Sequence, residues 1–111
     1  MNTWVVMKFG GTSVASVARW GTIAKEAQRA LDAGERPVIV CSALSGVSDR
    51  IEAIISAIEE GDVDARVREL EDQHRALAQD MGVDLDDTIG PELNELRNQV
   101  QGASLIGEVT P

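Results

Sequence analysis

The run Lys8-Phe9-Gly10-Gly11-Thr12-Ser13-Val14 sets a lysine, two adjacent glycines and two hydroxyl residues within one short segment. Glycines let a backbone approach a phosphate closely with its N–H groups turned inward, and a helix beginning just after them adds the positive end of its dipole. A lysine at the end of the preceding strand adds a full positive charge. Together these parts would make a phosphate cradle. The order is not that of a P-loop, because the lysine precedes the glycines. Taken as a bare pattern, a tight turn with Ser13 as a helix cap accounts for it as well. Two other residues with chemical potential read as structural. His74 falls on an apolar stripe between Leu70 and Leu77, with no acidic or cysteine partner spaced to complete a ligand set, so a partly buried packing histidine is expected. The single cysteine, Cys41, lies inside an apolar run where a small hydrophobic side chain packs well.

The elements that must position these residues follow from the spacing of apolar side chains. Thr3 to Phe9 is a short, mostly apolar and β-branched run that stops at Gly10-Gly11, the pattern of a strand buried on both faces. From Val14 to Ala33 the positions Val17, Trp20, Ala24, Ala27 and Leu31 recur at helical spacing, and Gly34 supplies a stop. Pro37 opens a second apolar strand, Val38 to Cys41. Strand, helix and strand in this order predict a βαβ unit with parallel strands. After a polar loop from Ser42 to Ser48, one helix carries Ile51, Ile54, Ile55 and Ile58 and ends before Gly61. A third carries Val63, Val67, Leu70, Leu77 and Met81, and a fourth starts near Pro91 with Leu93, Leu96 and Val100. Two doubly covered strands beside four helices leave strand edges without partners, so the chain is expected to be part of a larger sheet.

Composition narrows the partners. A net charge of −9 disfavours nucleic acid and anionic membranes, which require clustered Lys and Arg. The longest apolar stretches fall far short of the roughly 18 residues of a membrane span, and no basic region with a long apolar block opens the chain. A cytoplasmic location is the default expectation. If the ligand is an anion, the few basic residues near the glycines must attract it, which points to Lys8.

The whole string KFGGTSV at the start of the chain resembles the N-terminal signature of aspartokinases, within the amino-acid kinase family. Cys41 to Asp49, CSALSGVSD, is similar to the second glycine-bearing segment of that family, and Gly102 to Pro111, GASLIGEVTP, to the stretch leading toward its next substrate-binding element. The resemblance implies the N-terminal part, residues 1–111, of an α/β/α sandwich with a parallel sheet, incomplete in this chain, with any regulatory domains lying elsewhere. It implies ATP with Mg²⁺ and aspartate as substrates and transfer of the γ-phosphoryl group to the aspartate side chain, while the uncovered strand edges and apolar faces lead to the expectation of a homo-oligomer. Carried over by position, Lys8 would be catalytic and would contact the ATP phosphates. Gly10, Gly11, Thr12, Ser13 and Ser42 would line the same pocket, Ser48 would help hold aspartate, and no protein metal site is implied. Ser48 or Asp49 as a helix cap remains open beside that role. The isolated chain is expected to be inactive. Another acceptor, or a nucleotide-binding module that never turns over, are the alternatives.

Overall fold

The computed structural model describes residues 3–60 and 62–107. Its elements run β1 (Trp4–Phe9), α1 (Val17–Asp32), β2 (Arg36–Cys41), α2 (Val47–Glu60), α3 (Val63–Met81) and α4 (Leu85–Ile106). The architecture is α/β, with two parallel strands and four helices among the described residues, as the apolar spacing predicts. These elements fall into two compact units, one reaching Gly46 and the other starting at Val47.

In the first unit β1 and β2 pair in parallel, from Trp4 opposite Arg36 to Phe9 opposite Cys41. The ladder extends beyond both ends: the Arg36 N–H donates to the Thr3 carbonyl at 2.7 Å and the Ser42 N–H to the Phe9 carbonyl at 3.0 Å. Both donors are even-numbered, so the odd-numbered nitrogens of β2, that of Pro37 included, face away from β1. A proline is therefore tolerated inside β2 and not only ahead of it, and the strand is two residues longer than Val38 to Cys41.

Helix α1 starts at Val17, three residues later than the spacing suggests. Ser16, not Ser13, is its cap, accepting the Arg19 N–H on its hydroxyl at 3.2 Å. Its far end follows expectation: Gly34, at φ +78°, donates to Leu31 at 3.0 Å, and the Glu35 N–H reaches the Ala30 carbonyl at 2.9 Å. Those two bonds close a Schellman motif, which needs the left-handed residue that glycine supplies. The buried face of α1 is also turned from the expected one. Ile23 and Ala30 are buried, whereas Val17 and Leu31 are 47% and 55% exposed.

The expectation of strands covered on both faces is corrected. Val5, Met7 and Phe9 are half-buried, but Trp4 and Val6 are 62% and 69% exposed, and Val38, Ile39 and Val40 are exposed as well. Helix α1 packs against β2, and one helix can cover only one face of a sheet. For the same reason Cys41 is exposed, not packed away.

In the second unit α2, α3 and α4 pack on one another around Val47, Ile54, Val67, Leu70, Leu85 and Val100. Burying a side chain such as Ile54 or Leu70 contributes about 1.5 to 3 kcal/mol. Two boundaries differ from the sequence reading. Helix α2 begins at Val47, so the loop after β2 ends at Gly46 and Ser48 stands in a helical turn. Helix α4 begins at Leu85, six residues before Pro91, because the Asp84 carboxylate accepts the N–H groups of Asp86 and Asp87 at 2.9 and 3.2 Å. The helix then kinks at Ile89 (φ −131°, ψ 16°) and resumes with Pro91 in a first turn, where a missing N–H costs nothing. His74 is part-buried with its Nδ1 2.8 Å from the Leu70 carbonyl, a packing residue as expected. Among the described residues no helix is long and apolar enough to cross a membrane.

Candidate functional site

Lys8 lies near the carboxyl end of β1, opposite Val40 of β2, with its side chain exposed. It takes part in none of the ion pairs among the described residues, which leaves its charge available to a ligand. Beyond it the chain makes a turn, not a helix: the Val14 N–H donates to the Gly10 carbonyl at 3.2 Å and the Ala15 N–H to Thr12 at 3.4 Å. Val14 is 1% exposed and anchors that turn from below. Trp20 of α1 anchors it from the side, its indole N–H donating to the Val14 carbonyl at 2.8 Å. A part-buried tryptophan needs a partner for that N–H, and here the partner is the glycine loop itself. Sequence reading placed Trp20 on the buried stripe and missed this bond.

The second loop, from Ser42 to Gly46, lies against the first. The Ser42 N–H bonds to Phe9, and the Ser45 N–H donates to the Gly11 carbonyl at 3.2 Å. Gly46 takes φ +82° and so lets the chain leave the loop for α2. The two glycines of the first loop have different surroundings. A Cβ on Gly10 would meet nothing within 4 Å, whereas one on Gly11 would meet the Ala43 carbonyl oxygen at 3.0 Å and the Ser45 nitrogen and Cα at 3.1 and 3.2 Å. Neither glycine is left-handed. The structure thus brings together Lys8, Gly10, Gly11, Thr12, Ser13 and Ser42 at the carboxyl ends of two adjacent parallel strands. Thr12 and Ser42 are exposed and Ser13 is half-buried, and the Ser42 hydroxyl donates locally to the Ala43 carbonyl at 3.0 Å. The helix end expected directly behind the glycines is instead at Ser16, so the N–H groups nearest Gly10 belong to the turn.

Ser48 belongs to the other unit, exposed in the first turn of α2 with Asp49 beside it. Charge is divided unevenly between the units. Residues 1–46 carry five Lys or Arg and three Asp or Glu, a net +2, while residues 47–111 carry five and sixteen, a net −11. The segment with the glycine loops is thus the one suited to an anion. Five arginines are matched by acidic neighbours among the described residues. Glu71, with its side chain 15% exposed, accepts a hydrogen bond from Arg97 and holds that guanidinium above its ordinary pKa. Glu26 raises Arg29 in the same way, by a hydrogen bond and by its charge. The cavity beside Arg97, about 360 Å³, lies between α3 and α4 and is also lined by Arg75 and Asp86, which pair at 3.7 Å.

Residues 3–107 match the amino acid kinase family along nearly the whole chain. An aspartate kinase of Pseudomonas fluorescens (strain SBW25) is 43% identical over 67 residues, 60% of this chain and 16% of that protein. An aspartokinase of Pseudomonas aeruginosa is 39% identical over 56 residues, 50% of this chain and 14% of that protein. The chloroplastic aspartokinase 3 of Arabidopsis thaliana is 29% identical over 110 residues, 95% of this chain and 19% of that protein. The chain therefore spans less than a fifth of the length of these curated relatives.

Proposed function

This chain belongs to the amino acid kinase family, and from that premise we propose that it forms the N-terminal part of the catalytic domain of an aspartate kinase. The observation that carries the proposal is the joining of two glycine-bearing loops at the carboxyl ends of adjacent parallel strands, beside an exposed lysine. Ligands of open α/β sheets bind at that end of the strands. The relatives named aspartate kinase support the choice of acceptor.

In this reading Lys8 contacts the phosphates of ATP and stabilises charge on the γ-phosphoryl group. Gly10 and Gly11 lend backbone N–H groups, Thr12, Ser13 and Ser42 border the phosphates, and the Ser48 hydroxyl contacts aspartate. An oxygen of the aspartate side chain bonds to the γ-phosphorus as the bond from that phosphorus to the β,γ-bridging oxygen breaks. ADP leaves, and an acyl phosphate remains. Positioning and charge do most of the work in such a transfer, and no covalent enzyme intermediate is required. Among the described residues no group of three or more His, Cys, Asp or Glu side chains is gathered to hold a metal. In the proposal Mg²⁺ enters with ATP as the substrate complex, where it would neutralise phosphate charge. The product feeds the synthesis of lysine, threonine and methionine, in the cytoplasm and in a homo-oligomer.

The test is a coupled assay of ADP release by the polypeptide that carries this chain, with MgATP and either aspartate or glutamate. Faster turnover with aspartate is expected. Equal or reversed rates contradict the choice of substrate, and ATP binding without turnover favours a regulatory nucleotide-binding module.

A further inference from the structure

The two glycines of the first loop sit in opposite surroundings, and that difference separates their roles. Where Gly10 faces open space, Gly11 is pressed against backbone of the second loop, within 3.0 to 3.2 Å of the position a Cβ would take. The three nearest atoms it would meet belong to the main chain of Ala43 and Ser45, so truncating a side chain would not relieve these contacts. The Gly11 carbonyl also accepts the Ser45 N–H at 3.2 Å, which makes this residue the joint between the loops. We propose that Gly11 is a positioning residue, whose missing side chain lets the Ser42 to Gly46 loop close onto the Lys8 loop and fixes the separation of the two walls of the phosphate site. Gly10 is the glycine that keeps the ligand's space open. The assignment rests on the proposed binding of ATP phosphates between these loops and goes beyond it, since it derives an effect on affinity from a contact made away from the ligand.

A Cβ at residue 11 requires the second loop to retreat by a few tenths of an ångström. That motion stretches the Gly11–Ser45 hydrogen bond but leaves the ladder bond from Ser42 to Phe9, which is held by the strands. Small displacements at a site of charged groups carry large consequences, and a shift of this size is expected to weaken phosphate binding by about tenfold.

Amide exchange read by NMR on the polypeptide that carries this chain, combined with an ATP titration, tests the assignment. Gly11→Ala should speed exchange of the Ser45 amide by about tenfold, leave the Ser42 amide unchanged and weaken ATP binding. Gly10→Ala should weaken ATP binding while both amides exchange at the wild-type rate. An ester in place of the Ser45 amide removes that donor and adds no atom at Gly11. It should reproduce the loss of ATP affinity, even if Gly11→Ala fails to fold. A Ser45 amide that stays protected in Gly11→Ala overturns the coupling of the loops, as does a Gly10→Ala chain in which the Ser45 amide is equally exposed. Wild-type polypeptide that shows no shifts with ATP overturns the phosphate reading and with it the link to affinity. In that event the exchange data still report independently on the joint.

Discussion

At the scale of single residues, the structure separates side chains that hold the loops from those left facing outward. Lys8 is exposed and outside every ion pair among the described residues, so its charge faces solvent at the end of the sheet where a ligand would bind. Trp20 holds the loop through the Val14 carbonyl. Trp20→Phe keeps most of the ring and deletes the donor, and it should cost about 1 kcal/mol in a urea titration, the usual value of one net hydrogen bond. No loss would mean that water replaces the indole. Ser48→Ala in the active polypeptide should raise the KM for aspartate with little effect on that for ATP, because a neutral hydroxyl contact is worth about 0.5 to 1.5 kcal/mol. A larger effect on ATP would show that the two loops have been given each other's substrates. That Lys8, the glycines and Ser42 meet at one end of the sheet was legible because the strand, loop and helix order places them there. Ser16 and Trp20 were not, since their roles depend on where the turn ends and on which carbonyl it presents.

At the scale of elements, the number, type and order of strands and helices followed from apolar spacing, and the exceptions share physical causes. Helix starts were set by caps: Ser16 moved α1 three residues later, and Asp84 began α4 six residues before Pro91. Both are short polar residues ahead of a weakly apolar turn, where spacing alone gives no signal. The face of α1 was misread because Val17 and Leu31 drew the stripe, while the packed line runs through Ile23 and Ala30. Asp84→Ala should destabilise the chain by about 1 kcal/mol, measured by denaturant unfolding, with helical content falling at the start of α4. Arg97→Ala leaves the largely buried Glu71 carboxylate without its partner. Because Arg97 is itself 40% exposed, a cost of about 1 to 2 kcal/mol is expected, less than for a fully buried pair. A change within about 0.5 kcal/mol, the scatter of ordinary surface substitutions, would show that solvent already screens the pair.

At the scale of the whole molecule, the sheet is the element least satisfied by its surroundings. Trp4, Val6, Val38 and Val40 are exposed together on two strands, each with an edge that carries no partner strand among the described residues. Such surfaces seek cover. Light scattering on the 111-residue chain should show an apparent mass that rises with concentration, and a monomer at every concentration with cooperative unfolding would mean that the sheet needs no further cover. The same chain should show no measurable kinase turnover, since the loops around Lys8 account only for the phosphates. The uneven charge, +2 against −11, gives the segment with those loops its attraction for an anion despite the acidity of the chain. The most direct test of the account is the turnover of Lys8→Ala in the polypeptide that carries this chain, with saturating MgATP and aspartate. A positioned charge on the transferring phosphoryl group is worth roughly 3 to 4 kcal/mol, so kcat should fall by about two orders of magnitude or more. A fall of less than about tenfold, or roughly 1.4 kcal/mol, would contradict the role given to Lys8 and with it the reading of these loops as the phosphate site.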